Sequence, residues 1–231
     1  MIIGEKVKIR RMVTMKKSET TYKQRRAIMA YQPVKSYEEY LKILDGYRGY
    51  KKNMYQAMSL EEKIDFFDGI HTDHVPMFDE NGNDTLGTLW DYGEITKEFI
   101  GHPDMFSLKD ISKFLEMLDD DCYQPSFMDD TIKVIRSIIR FFGKGGAVFF
   151  LTHLSDVPER GKQYGFCDSL GYLIADDVVF PCLGEAILEV DPATREQIRK
   201  IINGEIEGVP SLKKYAEGRE LERIRELESL V

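Results

Sequence analysis

The sequence predicts an α+β fold, with a helix-rich N-terminal half that contains a β-hairpin, followed by a small, mostly antiparallel sheet covered by helices and a C-terminal helix. Helix-start signals at Ser36, Ser59 and Ser107, each with an acidic residue three positions later, predict the helical half. Short runs of β-forming residues separated by Asp-Ser, Asp-Asp and Leu-Gly turns predict the sheet after residue 146. An amphipathic helix connects the two patterns.

Length and composition set the limits of this fold. A chain of 231 residues with 42% hydrophobic residues can build a real core. We expect a single α+β domain over residues 1–231, with a possible subdivision into a helical half, 1–125, and a sheet half, 126–231. No apolar run approaches the roughly 20 residues that a membrane span needs, and the N-terminus has no signal-peptide pattern. The three widely spaced cysteines suit a reducing compartment, so we expect a soluble cytoplasmic protein without disulfides.

In the N-terminal half, residues 5–15 are predicted to form a strand and residues 19–31 a short helix that ends before Pro33. The three capping boxes then predict three further helices. In each box the side chains of the first and fourth residues accept hydrogen bonds from each other's backbone N–H.

The clearest predicted helix has the sequence SFMDDTIKVIRSIIRFF and starts at Ser126. Asp129 and Asp130 are predicted to lie in its first turn, where they complement the helix dipole, and Gly143 follows its end. Its apolar face is expected to consist of Ile132, Ile135, Ile138, Ile139 and Phe142.

Residues 147–154, AVFFLTHL, are rich in β-formers and predict a strand. Residues 163–191 predict a meander of short strands, in which Pro181 would have to occupy an edge or a bulge. Asp191 and Pro192 then predict the start of a helix, because proline is tolerated in the first turn.

The C-terminal segment, residues 211–231, predicts a charged helix interrupted by Gly218. A slanting apolar stripe must be buried either on its own domain or against a second subunit, so the segment is a candidate for self-association. The stripe consists of Leu221, Ile224, Leu227 and Leu230.

Charge is distributed unevenly along the chain. Residues 1–52 hold fourteen Lys and Arg against five Asp and Glu, and residues 53–130 hold four against nineteen. Such segregation indicates a charged partner, although the two regions could also pair within the fold. The candidate basic contacts are Arg10, Arg11, Lys16, Lys17, Lys23, Arg25 and Arg26. The candidate acidic contacts are Glu61, Glu62, Asp65, Asp119, Asp120 and Asp121.

A metal site is the main alternative. His71, Asp73 and His74 fall within four residues, and His102 could add a ligand, as zinc catalysis requires three protein ligands and an open position. The stretch HTDH resembles the second half of the H-x-H-x-D-H signature of metallo-β-lactamase-like hydrolases. The resemblance covers four residues, and Gly69 stands where the first histidine would be.

The same stretch can be interpreted as a hairpin. Apolar residues 75–78 and 85–92 flank a turn-rich segment centred on Asn81-Gly82, a pair that supplies the positive φ angles of a tight turn. This interpretation accounts for more residues than the metal site does.

Two other sets of residues are candidates for catalysis. Cys167 and His153 could form a thiol–imidazole pair, although a buried cysteine is the commoner case. The carboxylates in or beside predicted turns are expected to be solvated, although two of them could converge for acid–base chemistry. These carboxylates are Asp168, Asp176, Asp177 and Glu185.

The sequence therefore predicts a non-catalytic cytosolic interaction protein, without a cofactor, that uses its basic and acidic surfaces to bind a charged macromolecule. A protein partner is favoured over nucleic acid, and no membrane partner is expected. The alternative function is a metal-dependent hydrolase centred on four residues, His71, Asp73, His74 and His102.

Overall fold

The computed structural model describes residues 58–72, 86–122, 125–214 and 216–231, which belong to a unit running from Met58 to Val231. The α-helices of these described residues are α1 Leu60–Thr72, α2 Leu86–Gly101, α3 Leu108–Glu116, α4 Pro125–Phe142, α5 Lys144–Thr152, α6 Ser169–Ala175, α7 Val179–Glu189, α8 Pro192–Asn203 and α9 Gly218–Glu228. Short 3₁₀ turns lie at Pro103–Met105, Leu154–Asp156, Glu159–Gly161 and Leu212–Lys214, and a π-helical segment at Gln163–Asp168.

The predicted α+β fold is wrong for the described part of the chain, which contains helices and no strand. The predicted strand at residues 147–154 lies mostly within α5, and the predicted meander at residues 163–191 is the π-helical segment followed by α6 and α7. A short apolar run without a clear period suits a buried helix as well as a buried strand. Here the long-range packing of α5 on α7 selects the helix.

The predicted hairpin and edge strand are also wrong where the structure describes them, because helices occupy these residues. Residues from Leu86 onward form helix α2 instead of the second hairpin strand, while the turn and the first strand lie outside the described residues. Pro181, predicted at a sheet edge, is the third residue of α7. In the first turn of a helix its missing N–H has no intrahelical acceptor to lose.

Two of the three predicted capping boxes are confirmed. The Ser59 backbone N–H donates to Glu62 Oε2 at 2.9 Å, and the Glu62 N–H donates to Ser59 Oγ at 3.2 Å. Ser107 and Asp110 form the same reciprocal pair at the start of α3. The box at Ser36 lies outside the described residues, as do the predicted elements before it.

The long amphipathic helix is confirmed as α4, whose four predicted core isoleucines are fully buried. It starts at Pro125, so Asp129 and Asp130 lie in the second turn and not the first. Gly143 has a φ of 57°, which lets the chain reverse from α4 directly into α5.

Four phenylalanine rings hold the first three helices together. Their centroids are 5.1–6.0 Å apart, and most of the ring pairs meet edge to face. This arrangement is the favoured one for the aromatic quadrupole. We call this set, which consists of Phe67, Phe99, Phe106 and Phe114, the phenylalanine cluster.

Helix α4 lies at the centre of the domain. It packs on α2, α3, α5, α6 and α7, so little of its circumference faces solvent. The narrow solvent-facing strip of this helix is therefore well fixed in position, because its other faces are held by the core.

The two C-terminal helices, α8 and α9, pack on each other and on the preceding helices of the domain. The Asp191 side chain accepts hydrogen bonds from the Ala193 and Thr194 N–H groups, which confirms the predicted start of α8. In α9, Ile224 and Leu227 are buried against the domain's own helices. Self-association through residues 211–231 stays a prediction, and it would have to use the outer face of α9.

None of the helices in the described residues combines the length and apolar character needed to cross a bilayer.

Candidate functional site

The solvent-facing strip of α4 carries three basic side chains. Lys133, Arg136 and Arg140 are spaced by three and four residues, which places them along one side of the helix. Their side chains are 39%, 30% and 48% exposed, whereas the residues between them are mostly buried. The strip therefore presents a row of cations on a rigid support.

A groove of about 280 Å³ runs beside this row. Its floor includes Ser137 of α4, which is 8% exposed and donates its hydroxyl hydrogen to the Val134 carbonyl oxygen at 2.8 Å. Two large apolar side chains that line the groove are exposed to solvent: Ile100 is 37% exposed and Phe141 is 53% exposed. We call this site the α4 groove; its lining consists of Ile100, Pro103, Lys133, Arg136, Ser137, Arg140 and Phe141.

A buried carboxylate holds the two arginines of the groove. Asp176 Oδ2 lies 2.6 Å from Arg140 Nη2 and 3.5 Å from Arg136 Nε, and the carboxylate side chain is completely buried. Its Oδ1 accepts hydrogen bonds from the Val178 and Val179 N–H groups at the start of α7. Burial acts to raise the pKa of Asp176, but the contacts with Arg140 and these N–H groups outweigh it and lower the pKa.

This arrangement leaves positive charge on the surface. Two guanidinium groups share one carboxylate, and that carboxylate faces the interior while parts of both guanidiniums face solvent. Lys133 forms its own ion pair with Asp130 at 2.8 Å, and the hydrogen bond to that carboxylate raises the pKa of Lys133. The α4 groove therefore combines N–H donors facing solvent with exposed apolar surface.

The predicted basic contacts, Arg10, Arg11, Lys16, Lys17, Lys23, Arg25 and Arg26, all lie outside the described residues. Their role in binding a partner stays a prediction.

The predicted acidic contacts fall into two groups. Glu61, Glu62 and Asp65 are exposed on α1, where Glu62 also serves the capping box. The second group follows α3 at residues 119–121.

Two members of the second acidic group organise the neighbouring backbone. The Asp120 carboxylate accepts hydrogen bonds from the Gln163 and Tyr164 N–H groups, both at 2.9 Å, where the π-helical segment begins. Asp119 Oδ2 lies 3.3 Å from Arg160 Nε, and Asp121 is exposed. These carboxylates thus fix the segment around residues 159–168 as well as presenting charge.

The predicted metal site can be followed only in part. His71 lies in the last turn of α1 and His102 is exposed just after α2, while Asp73 and His74 lie outside the described residues. The described residues contain no group of three or more His, Cys, Asp or Glu side chains arranged to hold a metal ion. The four-residue metal site stays a prediction.

The Cys167 and His153 side chains have separate partners. The buried Cys167 thiol donates to the Pro210 carbonyl oxygen at 2.8 Å, and burial raises its pKa to about 12. His153 Nδ1 lies 2.8 Å from the Phe149 carbonyl oxygen, and its ring stacks on Phe149. Because each side chain has a different hydrogen-bond partner, the thiol–imidazole pair is not formed, and the raised pKa further disfavours the thiolate.

Two of the four turn carboxylates are less solvated than the sequence indicates, whereas Asp177 and Glu185 are exposed as expected. Asp176 is buried, and Asp168 is partly buried with a pKa raised to about 6 by burial and by the nearby Asp129 and Asp120 charges. Asp177 is exposed and forms ion pairs with Arg219 and Arg223.

Sequence reasoning missed the α4 groove, although one signal for it was present. Lys133, Arg136 and Arg140 occupy the side opposite the predicted apolar face of a helix that was correctly identified. The spacing alone could not show that Asp176, 36 residues beyond Arg140 in the chain, would fix the guanidiniums.

The chain matches no protein-family model, no curated protein and no solved structure.

Proposed function

We propose that this protein is a non-catalytic interaction protein that binds a charged macromolecular partner, and that the partner is a protein. The observation that carries the proposal is the α4 groove. Its row of cations and its exposed apolar side chains occur together on a helix that the core holds rigidly.

The energetics of recognition favour such a surface. Interfaces gain affinity from apolar and arginine side chains that become desolvated, and charge complementarity adds association rate and specificity. Phe141, at 53% exposure, has apolar surface left to bury. Among the described residues Arg136 contacts Asp176 through Nε at 3.5 Å, which leaves its Nη groups as donors for a partner.

The segregated charge of the sequence supports the same proposal. The region 53–130 has fifteen more acidic than basic residues, and the exposed carboxylates of α1 belong to it. A protein with surfaces of both signs can select a partner by complementary and repulsive contacts together.

Binding of the full chain to fluorescently labelled charged probes tests the proposal. The probes are an acidic peptide, a basic peptide, and single- and double-stranded oligonucleotides, each titrated at about 50 mM and about 300 mM salt, conditions that shorten the Debye length more than twofold. We expect saturable binding of a peptide probe that weakens at the higher salt. Absence of binding to every probe at about 100 µM protein, where even weak complexes would register, contradicts the proposal.

A further inference from the structure

We infer that the α4 groove binds an acidic amphipathic helix of a partner protein, with carboxylates facing Lys133, Arg136 and Arg140 and an apolar side chain lying between Ile100 and Phe141. This inference rests on the proposed function and names the chemistry of the partner.

The spacing of the cations matches a helical ligand. With a rise of about 1.5 Å per residue, Lys133 and Arg136 are separated by about 4.5 Å along α4, and Lys133 and Arg140 by about 10.5 Å. A helix lying along α4 with carboxylates at positions i, i+3 or i+4, and i+7 repeats these intervals. Guanidinium groups bind carboxylates through paired N–H donors, which adds geometric selectivity.

The exposed apolar side chains of the groove require that the ligand also carries an apolar side chain. Ile100, at the end of α2, and Phe141, near the end of α4, both line the groove and are 37% and 53% exposed. Along the border between its charged and apolar faces, an amphipathic helix carries apolar side chains next to carboxylates, so both kinds of contact can form together. Strand addition, one way of binding an extended peptide, needs a sheet edge, and no strand occurs in the described residues.

A protein ligand fits this surface better than nucleic acid does. Three cations are few for a phosphate-tracking surface, and the neighbouring Asp130 and Asp104 carboxylates would repel phosphates. The chain's net charge of −8 opposes approach of a polyanion. A short ligand with a few carboxylates and an apolar anchor suffers less from both effects.

Two variants address the two parts of the groove. Lys133→Glu reverses one cation without touching the buried Asp176, and Phe141→Ala removes the exposed ring. The matched controls are Lys200→Glu and Leu188→Ala, whose side chains are 47% and 61% exposed on α8 and α7, away from the groove lining. Far-ultraviolet circular dichroism and thermal melting establish that all four variants fold like the parent chain.

The ligand probe is a labelled helical peptide of about four turns, roughly 14 residues, with three Glu and two Leu on one face. A scrambled peptide of the same composition has no such face, and a third peptide has Lys in place of Glu. We expect the acidic helix to bind the full chain, the scrambled peptide to bind at least about tenfold more weakly, and the Lys peptide not to bind.

In the variants, Lys133→Glu should weaken binding by about tenfold or more and Phe141→Ala by about fivefold or more, while both controls stay within about twofold. Equal binding of the scrambled peptide, or unchanged affinity in both groove variants, overturns the inference.

The same titrations separate this inference from the proposed function. Binding only to the basic peptide overturns the acidic-helix inference while leaving the proposed protein-binding function standing. Binding only to an oligonucleotide overturns both the inference and the protein partner of the proposed function. If no charged probe binds, both fail.

Discussion

Asp176 is expected to stabilise the domain through two sets of contacts, with α4 and with the start of α7. Replacing it measures how much each set contributes to the free energy of unfolding. Its side chain joins Arg136 and Arg140 of α4 to the first backbone N–H groups of α7. Asp176→Asn keeps one oxygen that can accept from these N–H groups but removes the charge. Asp176→Ala removes both functions.

The expected magnitudes follow from the contacts. A helix-start acceptor is worth about 1 kcal/mol. Arg140 and Asp176 form an ion pair with 2.6 Å between Nη2 and Oδ2. Breaking a buried ion pair costs about 3–5 kcal/mol and an exposed one about 1 kcal/mol or less, so for this pair, with Arg140 48% exposed, we take about 1.5 kcal/mol. We therefore expect Asp176→Asn to lower the free energy of unfolding by about 1.5 kcal/mol and Asp176→Ala, which loses both contributions, by about 2.5 kcal/mol.

The pH dependence of the effect has a definite sign. The pKa of Asp176 is lowered in the folded state, so its charge contributes stability that is present above the unfolded pKa of about 3.9 and is lost as pH falls through the folded pKa. The difference in unfolding free energy between Asp176→Asn and the parent chain should therefore stay constant from about pH 7 to about pH 5 and shrink below about pH 4, as pH falls through the lowered folded pKa.

Urea denaturation followed by circular dichroism gives these free energies. Glu185→Gln, which removes an exposed carboxylate from the same helix α7, is the matched control and should change stability little. The reasoning is refuted if both Asp176 variants lie within about 0.5 kcal/mol of the parent chain at neutral pH, the range typical of surface substitutions. It is also refuted if the Asn difference does not depend on pH.

Three other substitutions have definite expected outcomes, each measured by the same denaturation. Gly161→Ala should destabilise the domain by more than about 2 kcal/mol, because its added Cβ would lie 2.1 Å from the Leu118 carbonyl oxygen. The control Gly171→Ala, whose added Cβ would lie 4.0 Å from Leu212 Cδ2 in ordinary van der Waals contact, should be neutral or stabilising. Asp168→Asn should raise stability at pH 7 by about 1 kcal/mol after solvent screening, because a carboxyl pKa raised to about 6 makes the charged form unfavourable in the fold, and the gain should vanish near pH 4. Phe114→Ala should cost about 3–5 kcal/mol, since this fully buried ring contacts all the other rings of the phenylalanine cluster; a loss below about 1 kcal/mol would show that the cluster does not hold α1, α2 and α3 together.

The α4 groove shows how much of a binding site can be predicted from local sequence pattern. The sequence identified the helix and the residues of its apolar face, so the position of Lys133, Arg136 and Arg140 opposite that face was within reach. The exposure of Ile100 and Phe141 was not predictable, because it depends on which neighbouring helices cover them in the folded domain. The burial of Asp176 was misjudged, since a carboxylate beside a turn is normally solvated and only the arrival of two arginines from α4 permits its burial.

What the sequence alone determined about this protein is local. Capping at Ser59, Ser107 and Asp191 was predictable because the partners are at most three residues apart and their hydrogen bonds form within one turn. Tertiary structure alone decided between helix and strand for residues 147–154 and 163–191, because a short apolar segment satisfies its backbone equally well in either form. The choice depends on the surface that buries it, and here that surface is provided by helices distant in sequence.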